Sequence, residues 1–314
     1  MRFENQSQYL SFSAEGEKAT TRTFKSRDSE LEVILKGSPT GGLGEKALAS
    51  EFQFLGFVRS RLSEPEVARF FVPIPITSFE HGGWHFAAQS VVAGRPLSEH
   101  IFLRSRRRRF HFLRHEFSRC VEIAARIPVI LKQNTAARKL SPDWYQLPTL
   151  VQAGVQIKET LAEQAEKWTE QELCAHGDFT IENVFWDARL QKVSVIDWEL
   201  PMLGVPLLYD AFTLLFSSLP ALALEAGQAS SSGDRLEAQF RAAFFGSGEW
   251  ANATSGILRL ISDSLSEPVS GIWEQMLSCL VIRTNYFLWR QPSLGREYSR
   301  LLQCALLSRP PLAC

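Results

Sequence analysis

Up to about residue 93 the chain is built of short β-prone runs: QYLSFS, ATTRTFKS, LEVILK, PITSFE and WHFAAQSVV. The turn signals SRDS and HGG separate them, which predicts an antiparallel meander. One helix interrupts it over roughly 45–62, where Leu48, Phe52, Leu55, Val58 and Leu62 recur at helical spacing. Beyond residue 93 the period changes to that of helices, predicted over 97–127, 148–169, 206–219, 234–245, 256–264, 269–290 and 293–306. A single β-hairpin sits among them. The chain therefore reads as α+β, with a small β-rich N-lobe over 1–92 holding one helix and a larger, mainly helical C-lobe over 93–314. VVAGRPL is the crossover, and a ligand site is expected between the lobes.

Two charges fall at awkward places in this pattern. In LEVILK, Leu31, Val33 and Leu35 take one face of the strand and Lys36 ends it on the other. In the helix that follows, Glu51 lies three after Leu48 and four before Leu55, within the apolar stripe. Each charge is costly to bury alone; together they account for each other. Two unrelated snorkelling side chains are the simpler alternative.

The densest polar cluster is LCAHGDFTIENVFWD, residues 173–187. Its end, NVFWD, and the run KVSVID read as hairpin strands with a turn near 188–191. Folding about that turn is predicted to pair Val184 with Ile196 and Phe185 with Val195, which sets Asn183 opposite Asp197. An amide oxygen and a carboxylate that close begin a hard-cation site, and Mg²⁺ suits it because it completes its shell with water and phosphate. Asp178, in the loop entering the hairpin, can reach a substrate hydroxyl without being a metal ligand. D-x-x-x-x-N, then strand, turn, strand and a second Asp is a layout for phosphoryl transfer. A polar loop and an Asp-capped hairpin with no chemistry is the alternative.

HGDFTIENVFWD followed by VIDWE resembles the aminoglycoside phosphotransferase and choline kinase-like family of the kinase-like superfamily. There H-G-D-x-x-x-x-N replaces the protein-kinase H-R-D-x-x-x-x-N, and I-D-W/F-E/D replaces D-F-G. The resemblance implies a bilobal protein-kinase-like fold, with catalytic loop and metal hairpin over 173–199. By it Asp178 is the catalytic base, Asn183 and Asp197 hold Mg²⁺, and His176 braces the loop. Lys36 and Glu51 become the strand lysine and helix glutamate that meet the nucleotide phosphates. GVPLLYDAF resembles the family's G-D-P-x-x-D-L-A helix start and makes Asp210 a buried anchor, although one residue is inserted and Val205 replaces the usual Asp. AAQSVVAGRPL resembles the strand-to-hinge segment, placing backbone groups of Ser90 and Val92 at the adenine edge, with Ala93 where proline is usual. The phosphate-covering loop, SFSAEGEKATTRTF, departs most: it has one glycine, Gly16.

The implied activity is transfer of the γ-phosphoryl group of ATP (or GTP), with Mg²⁺, to a hydroxyl of a small molecule. A kinase-like nucleotide-binding regulator without transfer is the alternative; a protein kinase is disfavoured by the missing A-P-E segment. Acidic residues between 220 and 300 form no dense cluster, which argues against a polycationic aminoglycoside and leaves sugars, amino alcohols and nucleosides open.

Composition adds exclusions. Thirty-four basic residues balance thirty-four acidic ones, so the whole chain has no pull towards nucleic acid or anionic membrane. No stretch is long and apolar enough for a membrane span, no secretory signal opens the chain, and five scattered cysteines read as reduced thiols, so a cytoplasmic protein is expected. The one charge run places five arginines within Arg104–Arg109, either a solvated helix or a docking surface for an acidic partner. His81, His85, His100, His111 and His115 show no ligand pairing with carboxylates on a common face, so no metal is expected there.

Overall fold

The computed structural model describes residues 3–12, 18–26, 32–102, 106–132, 137–198, 201–223, 232–265 and 269–308. The chain divides into two compact units, 1–95 with 183–200 and 96–182 with 201–314. The first unit thus ends at Arg95 and takes in the hairpin segment from Asn183 to Leu200, which the sequence reading grouped with the C-lobe.

The first unit contains strands β1 (Phe3–Phe12), β2 (Lys18–Ser26) and β3 (Glu32–Pro39), then helices α1 (Leu43–Arg61) and α2 (Glu64–Arg69). Strands β4 (Phe70–Phe71), β5 (Pro75–His81) and β6 (Trp84–Ser90) follow. Five strands make one antiparallel sheet in the order β1-β2-β3-β6-β5. The meander predicted from the β-prone runs is this sheet, with β6 inserted between β3 and β5. HGG forms the tight turn between β5 and β6: Gly82 and Gly83 both take positive φ, 59° and 78°, and close the pair His81↔Trp84. Two consecutive positive φ angles match the right-handed strand twist and favour glycine.

Helix α1 buries Leu48, Phe54, Leu55 and Val58 against this sheet, together with Glu51. The sequence reading missed α2, a short helix that starts with a capping box: the Ser63 side chain accepts from the helix and Glu66 reaches back to the Ser63 N–H at 2.7 Å. The hairpin Val184–Asp187/Lys192–Val195 lies in the same unit, with β4 parallel to its second strand.

The second unit is helical: α3 (Leu97–Phe102), α4 (Arg106–Ile130), α5 (Val155–Gln171), α6 (Tyr209–Ala223), α7 (Ser232–Phe244), α8 (Glu249–Leu265), α9 (Val269–Arg290) and α10 (Pro292–Leu307). The helix expected over 97–127 is two, and the one expected from 148 begins at Val155. Helix α4 packs on α6 and α8, while α9 packs on α10. A small sheet orders Arg138–Lys139, Met202–Leu203 and Cys174–Ala175, so that the strand into the HGD loop is tied to the chain leading to α6. Phe212, Phe216 and Phe240 form part of an aromatic core around α6 and α7. Cys120, Cys174, Cys279 and Cys304 are buried. Among the described residues no helix is long and apolar enough to cross a membrane.

Candidate active site

Within the first unit Lys36 Nζ donates to both carboxylate oxygens of Glu51, at 2.7 and 2.8 Å, and to Asp197 Oδ1 at 3.1 Å. Strand alternation puts Lys36 on the face that α1 covers, which is why a glutamate within the helix's apolar stripe meets it. Glu51 is buried, 2% exposed, whereas the Asp197 side chain is 38% exposed. Burial works against the Lys36 charge, but Glu51 and then Asp197 override it and hold the lysine above its ordinary range. The ammonium therefore stays charged, with one partner buried and the other open to solvent.

The hairpin differs from its predicted pairing by one residue. Val184 pairs with Val195, Phe185 with Ser194, Trp186 with Val193 and Asp187 with Lys192. The turn sets this register: Asp187 Oδ1 accepts the N–H groups of Arg189 at 2.8 Å and Leu190 at 3.0 Å, and Gln191 takes φ 53°. Asp187↔Lys192 is then the closing pair, and counting back from it puts Ile196, not Asp197, beside Asn183. The Ile196 N–H donates to the Asn183 carbonyl at 3.0 Å. Asp197 reaches its position by another device, leaving the strand with φ 66°, in the left-handed region. Trp198 follows, fully buried, with its indole N–H donating to the Val195 carbonyl at 3.0 Å and its ring 5.6 Å from that of Phe54.

At the hinge strand the Ser90 N–H donates to the Ile74 carbonyl at 2.9 Å, and the Ser90 hydroxyl accepts the Ile74 N–H at 2.9 Å. Val92 is buried, 8% exposed. Gly16 and its loop lie outside the described residues.

In the second unit the HGD loop hangs on Asp210, in the first turn of α6. The His176 N–H donates to Asp210 Oδ2 at 2.8 Å, and the Gly177 N–H to Oδ1 at 3.2 Å. The Asp178 N–H donates to His176 Nδ1 at 3.3 Å, and the His176 ring meets Phe179 edge-on at 5.7 Å. His176 and Asp210 are fully buried, while Asp178 is half-buried. Burial pushes Asp210 up to about 7, against the two backbone donors and the Arg283 charge.

Sequence reasoning does not single out Arg283, which lies within α9. It is 3% exposed and donates to Tyr298 Oη at 3.1 Å and Thr213 Oγ1 at 3.2 Å. Its charge bears on Asp178 and on Asp210. Its place inside the apolar stretch MLSCLVIRTNYFLW was the available signal, since a buried charge is costly unless it is paired. Of the arginine run, Arg108 is exposed and Arg109 buried; 103–105 and the side chains of 106 and 107 lie outside the described residues.

A model of the phosphotransferase enzyme family matches residues 14–245, and the chain belongs to that family. Its fold is α+β, with a small strand-rich unit and a larger helical one. No curated protein matches the chain. Similar solved structures include aminoglycoside phosphotransferase APH(3'')-Id from Streptomyces rimosus, at 16% identity and TM-score 0.45, covering 84% of this chain and 92% of that one. Aminoglycoside-3'-phosphotransferase of type VIII is 16% identical at TM-score 0.46, covering 96% and 93%. The GDP complex of aminoglycoside 2'-phosphotransferase-IIIa is 10% identical at TM-score 0.45, again covering 96% and 93%.

Proposed function

We propose that the chain transfers the γ-phosphoryl group of ATP (or GTP) to a hydroxyl of a small molecule. The observation that carries the reading is Lys36, a cation fixed by buried Glu51 and still in contact with the half-exposed carboxylate of Asp197. A lysine held this way is oriented for nucleotide phosphate. The Ser90 carbonyl and the Val92 backbone meet the base edge. Asn183 and Asp197 offer an amide oxygen and a carboxylate, a donor set that suits Mg²⁺, which would neutralise phosphate charge when bound. Asp178 accepts a hydrogen bond from the acceptor hydroxyl and takes its proton as the oxygen attacks. Asp210 and His176 hold the loop so that Asp178 does not swing away. Catalysis on this reading is positioning and electrostatic stabilisation.

The test is a library of hydroxyl compounds (sugars, amino alcohols and nucleosides among them) with ATP and with GTP, reading nucleoside diphosphate release and ³¹P signals of products. Asp178→Asn should keep the fold and nucleotide binding while losing about 10²–10⁴-fold in turnover. Turnover within tenfold of wild type would overturn the base assignment. Nucleotide binding with no product from any acceptor would favour a silent regulator instead.

A further inference from the structure

The sheet face that carries Lys36 also carries Ser38, two positions along β3. Ser38 is paired directly with His85, and His85 with Glu80, so all three side chains project from one face. Helix α1 packs on that sheet, and its first turn brings Glu45. One ligand atom from each of Glu45, Glu80 and His85 lies within 4.8 Å of the others. The sequence reading found no such pairing for His85; the structure corrects it.

Two independent features set this cluster apart from an ordinary group of surface acids. Among the described residues, both nitrogens of His85 are shielded from solvent and make no hydrogen bond. The Ser38 hydroxyl, on a residue 0% exposed, has no partner among them either. Buried polar groups are almost always satisfied, and each one left alone is destabilising. A protonated imidazole bridging the two carboxylates would donate short hydrogen bonds, about 2.7–2.9 Å long. His85 makes none. Donor atoms that converge without bonding one another are a set that a single cation could share. Imidazole with two carboxylates suits a borderline ion, which binds such atoms at about 2.0–2.2 Å and leaves a position for water. Mg²⁺ is a poor match, because it prefers oxygen ligands.

We propose that Glu45, Glu80 and His85 form a binding site for a divalent transition-metal ion of the Zn²⁺ class, with the Ser38 hydroxyl bonding to the assembled ligands. Glu80 is exposed and closes the remaining distance by turning inward; Glu45 keeps Oε1 for the metal while Oε2 accepts the Gly41 N–H at 2.5 Å. The ion ties the first turn of α1 to β5 and β6, and so steadies the helix that presents Glu51 to Lys36.

The test uses the full chain without an affinity tag, dialysed free of metal and titrated with Zn²⁺ alone by calorimetry, with metal analysis after gel filtration. About one equivalent should bind, and the thermal midpoint should rise with Zn²⁺. His85→Gln and Glu80→Gln should each weaken binding by about tenfold or more, with an unchanged circular dichroism spectrum. Asp197→Asn and His111→Gln should bind as wild type does. If His85→Gln fails to fold, the exposed Glu80 variant decides. No binding by wild type, binding unchanged in Glu80→Gln, or binding lost in His111→Gln would each overturn the site.

Discussion

Lys36 sits between two carboxylates of opposite character, the buried Glu51 at 2.7 Å and the half-exposed Asp197 at 3.1 Å. Removing the lysine leaves Glu51 without its countercharge inside the fold. Lys36→Met should therefore cost about 3–5 kcal/mol at neutral pH, as breakage of a buried pair does. The loss should shrink at lower pH, because the stranded glutamate is then protonated and no longer a buried charge. Urea unfolding of wild type and variant at pH 5 and pH 8 checks this. A deficit that is equal at both would mean the pair is not buried in solution.

Asp197 reaches Lys36 from a left-handed backbone, φ 66°. Asn and Asp tolerate that region better than other residues with a Cβ. Asp197→Asn should keep the local chain path, while Asp197→Ala should be about 1 kcal/mol less stable than Asp197→Asn. On the proposed reading both lose Mg²⁺-dependent turnover, by about 10²-fold or more. Comparing the two by chemical denaturation and by turnover separates backbone strain from the missing carboxylate.

Much of this site was legible from patterns of two and 3.6. Lys36 on the strand face away from Val33, and Glu51 inside the stripe of Leu48 and Leu55, follow from periodicity alone, and they meet as those patterns require. The hairpin at 188–191 was also readable, but its register was not. Register depends on which pair closes the turn, and here an aspartate side chain capping two N–H groups selects Asp187↔Lys192. The left-handed Asp197 has no sequence signature of its own, because it compensates for that register. The His85 cluster shows the reverse case. HGG with two residues in the turn already implies Glu80 opposite His85, but Glu45 joins them only through the packing of α1, a tertiary contact that no local pattern encodes.

Gly94, in the VVAGRPL crossover, has φ 95°, and a Cβ there would lie 2.6 Å from the Trp186 carbonyl carbon and oxygen and 2.7 Å from the Asp187 nitrogen. Those neighbours are backbone atoms in a paired strand and cannot step aside cheaply. Gly94→Ala should combine strain with a clash and cost about 2–5 kcal/mol. The expected readout is a large drop in the urea midpoint without a change in slope. A variant within about 0.5 kcal/mol of wild type, the range of ordinary surface changes, would show that the two segments do not approach this closely.

Asp210 ties the HGD loop to α6 through two backbone N–H groups, yet burial pushes its carboxyl up to about 7. An unfolded aspartate titrates near about 3.9. Between those values the folded chain keeps a proton that the unfolded chain has released. The group's contribution is therefore complete below about pH 4 and is lost as pH rises through about 7, so stability falls across that window. In Asp210→Asn the side chain has one acceptor oxygen for two N–H donors, a defect that does not change with pH. The margin of wild type over Asp210→Asn should thus be widest at about pH 4 and below, and should narrow towards pH 8. Denaturant unfolding of both proteins at several pH values measures that margin, in which other titrating groups cancel. A margin that is flat, or that widens as pH rises, would mean the carboxylate is ionised throughout and that its two N–H donors and Arg283 outweigh burial.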